Sequence, residues 1–344
     1  MDMRFCFLDG TADYSVFSPD HHALGGAEKA LHGLADALSA RGHGVSVACR
    51  VSQRVECNGI AYVPVGEATD LVADVSVAFR DPALLGQVSA RRQLLWVTAS
   101  PEYMAHPVVQ ARILATRAGV LFCGAAQHRR WSGDGPAWIM PVGVRSPFLG
   151  RSVRASTSVD PVAVVTTHPQ RGLDRLLDIW CDQIRPHVPE ARLLVVSRLL
   201  GSGPDYVPVV LRPLFERVEA LAIKGVEVCL PPGDLDLATL WSRARLHLYP
   251  TCDDDMCCWT LAESQACGVP AVVGPAGGAV DCIENGVSGY CVPDDAALAG
   301  VAVQILQDDG VFSGLSAAAG VSFRHRSWND AAVFLETLAA EVCV

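Results

Sequence analysis

The chain has 344 residues, of which half are hydrophobic and 19% are charged, and its formal net charge is −10. This length exceeds one usual domain core, so we expect two domains of about 150 residues each. Residues 1–150 carry 13 basic and 13 acidic side chains, whereas residues 151–344 carry 14 and 24. An acidic chain of this kind is not expected to bind nucleic acid.

The N-terminus and the apolar runs show no pattern of export or membrane insertion. Asp2 and Asp9 interrupt the region where a signal peptide would be basic and then apolar. No apolar run approaches the roughly 20 residues that a membrane-spanning helix needs. We therefore expect a cytoplasmic protein with at most peripheral contact to the inner face of a membrane.

Strand and helix patterns alternate along the chain. The first half is predicted to contain strands at 4–8, 45–49, 72–79 and 94–97 and a helix at 27–40. The pattern restarts with strands at 161–166, 192–196, 226–230 and 246–249, separated by helices at 173–184, 211–223 and 235–243. Such alternation predicts parallel sheets flanked by helices.

A polar stretch without periodicity at 151–160 separates the two patterns and predicts an interdomain linker. The predicted domains are then an N-terminal domain at 1–150 and a C-terminal domain at 161–325. The remaining segment, 326–344, is predicted to be a terminal helix that begins near Trp328.

A glycine pair, Gly25 and Gly26, precedes the first predicted helix. Glycines allow the backbone to approach a ligand closely, and the N–H groups of a first helical turn attract anions. A tight strand-to-helix turn has the same sequence, so the pair alone is a weak signal.

The segment 248–295 is more informative. Asp255 and Glu263 are eight positions apart, and we expect these two carboxylates at one end of a pocket. Glu263 is predicted to open a helix that ends at Gly268, because glycine commonly follows a helix C-terminus. A short apolar strand at 270–273 follows.

These two motifs resemble those of the retaining glycosyltransferases of family 4. The matched positions of the second motif are Glu263, Ala266, Cys267, Gly268, Pro270, Val272, Val273, Gly277 and Gly278. The first motif, at 24–28, is followed by a helix that closes with the matching residues 41–45. The resemblance implies an α/β GT-B fold, in which two Rossmann-like parallel-sheet domains face a cleft and the C-terminal helix crosses back to the N-terminal domain.

The chain departs from the family pattern at several positions. Asp255 stands where the family has Glu, and residues 256–258, Met-Cys-Cys, replace Gly-Phe-Gly. Thr166 falls where the family has an Arg that holds the diphosphate, while Arg171 matches the position of its Lys. Thr98 follows a strand at the point where the family often has a His.

By resemblance, the C-terminal domain would bind a nucleoside-diphosphate sugar. Glu263 would accept hydrogen bonds from the ribose, Asp255 would bind the transferred sugar, and Arg171 would stabilise the leaving diphosphate. Asp255 and Arg171 are the implied catalytic residues, and Arg198 is a candidate to restore the missing cation. The other implied residues of the sugar-donor site are Gly25, Gly26, Thr167, Pro232, Cys257, Cys258, Trp259, Thr260 and Leu261.

The acceptor side is less sharply indicated. Thr98 and the nearby His106 are candidates on the N-terminal domain. Seven arginines lie between positions 91 and 145, and we assign Arg129 and Arg130 to the acceptor side. A solvated helix face and a surface for an anionic acceptor or membrane headgroups are both consistent with these arginines.

The resemblance predicts a hexosyltransferase-type enzyme of polysaccharide or glycoconjugate biosynthesis that needs no cofactor and no metal. The acceptor would be a hydroxyl on a glycan, a lipid-linked molecule or a small molecule. Same-face attack and a covalent intermediate both remain open as the origin of retention. The alternatives are a non-catalytic nucleotide-binding partner of another glycosyltransferase and a metal-binding D-x-D site at 253–255. An NAD-dependent oxidoreductase is not supported, because no G-x-G-x-x-G follows the first strand.

Overall fold

The computed structural model describes residues 2–14, 19–150, 160–324 and 326–341. The chain divides into two compact units. The first comprises Met1–Ser18, Leu24–Arg145 and Arg326–Val344, and the second comprises Pro19–Ala23 and Ser146–His325. Residues 19–23 and 146–150, placed by the sequence in the N-terminal domain, therefore group with the second unit. Most of the predicted linker, 151–159, lies outside the described residues.

The first unit is built on an eight-stranded sheet of order β3-β4-β2-β1-β5-β6-β7-β8. All neighbouring strands are parallel except the pair β3 and β4. The strands are β1 Arg4–Leu8, β2 Gly44–Cys49, β3 Val55–Cys57, β4 Ile60–Pro64, β5 Val72–Phe79, β6 Ser89–Trp96, β7 Gly119–Phe122 and β8 Ala137–Ile139. The central strands are buried apolar runs, as expected for a sheet covered on both faces.

The second unit is built on a six-stranded, fully parallel sheet of order β11-β10-β9-β12-β13-β14. Its strands are β9 Val162–Val165, β10 Arg192–Val196, β11 Val226–Cys229, β12 Leu246–Tyr249, β13 Ala271–Val273 and β14 Gly289–Cys291. The order reverses between β9 and β12, so the carboxyl ends of these two strands form a crevice where parallel sheets bind ligands.

Eleven α-helices are described. They are α1 Gly26–Ala40, α2 Pro107–Thr116, α3 Ala125–Arg129, α4 Leu173–Ile179, α5 Arg198–Gly201, α6 Arg212–Ala220, α7 Asp234–Trp241, α8 Trp259–Ala266, α9 Asp295–Gln307, α10 Asp309–Arg324 and α11 Trp328–Ala340. The predicted helix at 173–184 changes character after α4, since Trp180–Ile184 form a π-helical turn. None of the described helices is both long and apolar enough to cross a bilayer.

Helix α11 packs against α1 within the first unit, which confirms that the C-terminal helix returns to the N-terminal domain. Gly33 permits this contact, because a Cβ atom at that position would lie 2.4 Å from the ring of Trp328. At the end of α1, Arg41 and His43 hold Glu336 of α11 through contacts of 2.5 Å and 2.6 Å. The hydrogen bond from Arg41 is the main reason that the pKa of Glu336 falls to about 2.

Candidate functional site

The carboxyl ends of β9 and β12 bring together the loops 166–172 and 250–258. Strand β9 pairs with β12 in parallel, with Ala163 opposite Leu246. The helix that follows each loop, α4 or α8, begins at the same edge of the sheet. The sequence-predicted residues Arg171 and Asp255 meet at this edge.

Asp255 is the centre of the cluster, and its residue is only 8% exposed. The Tyr249 hydroxyl donates to Asp255 Oδ2 at 2.7 Å, and Arg171 Nη1 lies 3.1 Å from Asp255 Oδ1. Burial, with smaller contributions from Cys258 and Asp255, raises the pKa of Tyr249 well above its usual range, so the tyrosine acts as a neutral donor. The Arg171 side chain remains 42% exposed and is therefore accessible to a ligand.

The glycine pair after β13 fixes the backbone that carries Asp255. Gly277 has a φ of +70°, and a Cβ atom there would lie 2.5 Å from the carbonyl oxygens of Cys252 and Asp255. The next residue, Gly278, donates its N–H to the Asp255 carbonyl at 2.8 Å. Only glycine fits such a turn without moving the loop, which gives the matched Gly-Gly a structural reason.

Helix α8 begins at Trp259, so the prediction that Glu263 opens this helix is wrong. The N-cap residue, Cys258, makes no side-chain hydrogen bond to the helix, and this explains why no capping pattern marked the true start. Glu263 lies in the second turn and is only 6% exposed. The predicted glycine at the other end is confirmed, since Gly268 follows the C-cap with a φ of +76°.

Two of the backbone N–H groups implied as ligand contacts already donate to the protein. The Trp259 N–H donates to the Cys257 carbonyl at 2.9 Å, and the Leu261 N–H donates to the Cys258 carbonyl at 3.0 Å. Thr260 lies between them in the first turn of α8 and is partly exposed. A ligand at this helix end would meet the Thr260 side chain as well as the backbone.

Thr166 belongs to a network of neutral side chains. Its Oγ1 lies 2.8 Å from Thr260 Oγ1 and 3.1 Å from His247 Nε2, while His247 Nδ1 lies 2.8 Å from Ser264 Oγ. His247 is fully buried, and burial lowers its pKa to about 3. The sequence analysis did not select His247, although a histidine inside a four-residue buried strand was a signal that could have found it.

Thr167 and Arg198 lie at neighbouring strand ends in different environments. Thr167 is 8% exposed, and its Oγ1 has no hydrogen-bond partner among the described residues. Arg198 begins α5 and donates from Nη2 to the Ala23 carbonyl at 2.5 Å. In this arrangement Arg198 contacts the chain segment 19–23.

Pro232 lies in the loop between β11 and α7, where the segment 19–23 also packs. The Asp234 N–H donates to the Pro19 carbonyl at 2.8 Å. A Cβ atom on Gly233 would lie 2.5 Å from the backbone of His21, so the two segments approach as closely as a glycine allows. These contacts are the physical reason that 19–23 group with the second unit, away from their neighbours in sequence.

In the first unit, Gly25 is the N-cap residue of α1 and Gly26 is its first residue. The Glu28 carboxylate folds back over this turn, because a Cβ atom on Gly25 would lie 2.1 Å from Glu28 Oε2. Arg80 Nη2 binds both Glu28 Oε1 at 2.7 Å and Asp9 Oδ2 at 2.5 Å. The sequence analysis missed this cluster, because Arg80 lies 52 positions from Glu28 and 71 positions from Asp9.

The candidate acceptor residues have different environments. Thr98 lies just beyond β6 and is half-buried, while His106 caps α2 by accepting the Val108 N–H at Nδ1, 3.3 Å away. Arg130 is 3.5 Å from Glu102, whereas Arg129 is exposed and makes no ion pair with any residue that the structure describes.

A cavity of about 680 Å³ lies beside α2 in the first unit. Its lining includes the apolar side chains of Met104, Ile113 and Trp131 and the cations Arg117 and Arg130. Helix α2 has no buried side chain, and Leu114 on its surface is 79% exposed. The carboxylates Glu102 and Asp134 also line the cavity, so it combines accessible apolar surface with two cations and two anions.

Across the described ranges, no group of three or more His, Cys, Asp or Glu side chains has the arrangement of a metal site. The Asp253-Asp254-Asp255 run is accordingly not part of such a group. Only Asp255 of the three is buried, and its contacts are to Tyr249 and Arg171.

Residues 162–308 match the family model described as glycosyl transferases group 1. A D-inositol 3-phosphate glycosyltransferase of Xylanimonas cellulosilytica is 29% identical over 161 residues, which are 46% of this chain and 38% of that protein. The matched stretch is thus well under two thirds of that relative's length.

Two solved structures show the likeness in fold. Sucrose-phosphate synthase from Thermosynechococcus elongatus has a TM-score of 0.77 at 17% identity, over 99% of both chains. Anabaena HepE, solved in complex with UDP and glucose, has a TM-score of 0.70 at 16% identity, over 98% of this chain and 100% of that one. The predicted GT-B fold with two parallel-sheet domains is confirmed.

Proposed function

We propose that this chain is a retaining glycosyltransferase that acts without a metal ion, because residues 162–308 match the family model of the glycosyl transferases group 1. It moves a sugar from a nucleoside-diphosphate sugar to a hydroxyl acceptor. The observation that supports this best is the placement of Asp255, which Tyr249 and Arg171 hold at the carboxyl edge of the sheet beside the start of α8.

The Arg171–Asp255 ion pair would rearrange when the sugar donor binds. A diphosphate carries more negative charge than one carboxylate, and a guanidinium binds phosphate in a bidentate manner. Arg171 would therefore turn from Asp255 to the diphosphate, while Tyr249 continues to hold Asp255 Oδ2. The released Oδ1 would then accept a hydrogen bond from a sugar hydroxyl.

The transfer step breaks the bond between the anomeric carbon and the phosphate oxygen, and the electron pair leaves with the nucleoside diphosphate. Arg171 and the first turn of α8 would stabilise this growing negative charge. In a same-face attack, the acceptor hydroxyl oxygen bonds to the anomeric carbon and its proton passes to the leaving phosphate oxygen. In a covalent route, Asp255 is the candidate nucleophile. Trapping a glycosylated Asp255 with a slow donor would distinguish the two routes.

The nucleoside would contact Glu263 and the loop that contains Pro232. Glu263 is only 6% exposed, and a carboxylate at the ligand-binding edge of the sheet is suited to bind the paired hydroxyls of a ribose. The half-buried Pro232 offers a flat apolar surface for the base, and the buried Thr167 hydroxyl is a further candidate contact.

For the acceptor, we favour an anionic or lipid-linked hydroxyl compound. The support is the excess of arginine between positions 91 and 145, where seven arginines face two acidic residues, Glu102 and Asp134. The cavity beside α2, which both acidic residues line together with Arg117 and Arg130, would hold the apolar body of the acceptor, and the arginines of this segment would attract its negative group. We further propose that the protein is cytoplasmic and contacts membranes at most peripherally.

The first test is a thermal-shift screen of the purified chain against UDP, GDP, ADP and their sugar conjugates. The proposal expects one nucleoside diphosphate to raise the melting temperature in a concentration-dependent manner. A chain that binds a nucleotide but transfers and hydrolyses no sugar would be the non-catalytic partner of another glycosyltransferase. A chain that no nucleoside diphosphate stabilises would contradict both readings.

A further inference from the structure

A line of hydrogen-bonding side chains connects the interior of the second unit with the first turn of α8. It runs from Ser264 to His247, then to Thr166, and ends at Thr260. His247 and Ser264 are fully buried, whereas Thr166 and Thr260 are partly exposed. Thr166 and Thr260 are therefore the members of the line that a ligand can reach, and Thr260 is its last member.

The imidazole in this line is neutral. The rings of Trp241 and Tyr249 lie 4.7 Å and 5.4 Å from it, and both ring nitrogens face hydroxyl groups. Burial in this setting lowers the pKa of His247 to about 3. A neutral imidazole has one N–H and one lone pair, so the choice of tautomer sets the direction of every hydrogen bond in the line.

Two arrangements of the hydrogens satisfy the observed contacts. In the first, Ser264 donates to Nδ1, the Nε2–H donates to Thr166, and Thr166 donates to Thr260. The hydrogen of the Thr260 hydroxyl is then available to a ligand. In the second, Ser264 donates to the Leu261 carbonyl, 3.0 Å away, and each bond between Ser264 and Thr260 is reversed. Thr260 then presents only an oxygen lone pair outward.

We propose that His247 is a positioning residue that, through Thr166, turns the Thr260 hydroxyl toward the diphosphate of the sugar donor. This inference rests on the proposed function. An anion accepts a hydrogen bond and repels a lone pair, so its binding selects the first arrangement, with the Nε2–H tautomer.

The binding test compares Thr260→Val, Thr166→Val and His247→Leu with the parent chain. Valine keeps the shape of threonine but removes the hydroxyl, and Thr337→Val on the exposed side of α11 is the matched control. The affinities of UDP, GDP and ADP are measured by calorimetry, and each is compared with the affinity of the corresponding nucleoside. We expect each of the three variants to bind the preferred diphosphate roughly tenfold more weakly, the range for a hydrogen bond to a charged group, with nucleoside affinity unchanged.

The double variant Thr166→Val/Thr260→Val separates positioning from packing. If Thr166 acts through Thr260, the double variant binds the diphosphate about as weakly as Thr260→Val alone. Losses that multiply, or a Thr166→Val variant with the affinity of the parent, would overturn the inference. An equal loss of nucleoside and diphosphate affinity would also overturn it, because the variants would then have disturbed the whole site.

A spectroscopic test does not depend on the folding of a variant at the buried position. Nitrogen-15 spectra of the parent chain distinguish the two tautomers of His247, whose signals are assigned by their change in Thr166→Val. We expect His247 to be the Nε2–H tautomer when the nucleoside diphosphate is saturating. An Nδ1–H tautomer in the complex would refute the proposed orientation of the Thr260 hydroxyl. If the parent binds no nucleoside diphosphate, the proposed function itself fails. If the parent binds a nucleoside diphosphate and the variants bind it equally well, only the positioning role of His247 and Thr166 is rejected.

Discussion

At the scale of single residues, Asp255 and Glu263 have different environments, although they are only eight positions apart in sequence. Asp255 is engaged by Tyr249 and Arg171, while Glu263 lies one turn into α8. The first is placed to bind the sugar once Arg171 has moved, and the second to bind the ribose. The two substitutions should therefore have different effects on nucleotide binding.

We expect Glu263→Ala to weaken nucleoside-diphosphate binding by roughly 1.5 to 3 kcal/mol, the value of hydrogen bonds to a charged group. Asp255→Ala should spare the bare nucleotide, because it leaves Arg171 free for the diphosphate, and should abolish sugar transfer. Isothermal titration of both variants checks this, with the exposed Asp254→Ala as the control. Equal losses of nucleotide affinity in both variants would disprove this division of roles.

The glycine turn after β13 permits a second comparison between residues. Gly277 and Gly286 both have positive φ, but a Cβ atom on Gly286 would meet nothing within 4 Å. Gly286→Ala should therefore cost only backbone strain of about 1 kcal/mol. Gly277→Ala adds a clash with two carbonyl oxygens and should cost at least about 2 kcal/mol more, with weaker binding of the sugar donor.

Urea unfolding of both glycine variants measures the difference in free energy of unfolding. If Gly277→Ala is no less stable than Gly286→Ala, the turn does not fix the Asp255 loop as described.

At the scale of elements, α11 is attached to α1 by packing and by the Glu336 cluster. The sequence predicted the start of α11 correctly and, by resemblance, its return to the first domain. The hydrogen bonds that hold it come from Arg41 and His43, almost 300 positions away. Such a distance hides the pairing from any local pattern.

Glu336→Gln should lower the free energy of unfolding near neutral pH. The pKa of Glu336 is depressed in the folded state, so its contribution is fully present above the unfolded pKa of about 4.3 and is lost as the pH falls through about 2. The difference between variant and parent should accordingly shrink below about pH 4. Denaturation at a series of pH values tests this, with Glu341→Gln at the exposed C-cap residue of α11 as the charge-matched control. A difference that is constant from pH 7 to pH 2 would show that the ion pair does not stabilise the helix.

The segment between β6 and β8 is where we expect acceptor recognition. Replacing Arg129 and Arg130 with serine should raise the acceptor KM by roughly fivefold, from about 0.5 kcal/mol for each exposed charge. The KM of the sugar donor should stay near that of the parent. Because salt screens exposed charges over about 8 Å at physiological ionic strength, the effect should weaken in high salt.

The double variant Arg50→Ser/Arg54→Ser is the matched control, since both arginines are exposed on the same unit outside this segment. Unchanged acceptor kinetics in Arg129→Ser/Arg130→Ser at low and high salt would leave these arginines as a solvated surface.

At the scale of the whole molecule, hydrophobic patterning predicted the two parallel sheets well. The bounds of β1, β5, β10 and β12 agree with the predicted strands, because each is a run of four to eight residues that is mostly apolar and mostly buried. Five strands were not predicted: β3, β4, β7, β8 and β14. In β3, three residues without a buried side chain give no periodic signal.

The candidate site was only partly predictable, for a different reason. Arg171 and Asp255 were found because a family pattern marked their positions. His247 and Arg80 were missed because their roles depend on partners from distant strands and helices. The start of α8 was missed because Cys258 is not a capping residue. Tertiary contacts, which local patterns do not contain, decide the roles of His247 and Arg80.

The most direct test of glycosyl transfer is the release of nucleoside diphosphate from UDP-, GDP- and ADP-sugars by the purified chain in excess EDTA. Arg171 and the start of α8 would stabilise the leaving diphosphate in place of a metal ion, so we predict that one sugar donor is turned over and that chelation does not slow the reaction. Glu263→Ala should abolish the signal at donor concentrations that suffice for the parent. Binding of a sugar donor without any release, or release that disappears with EDTA and returns with manganese, would contradict a metal-independent transferase.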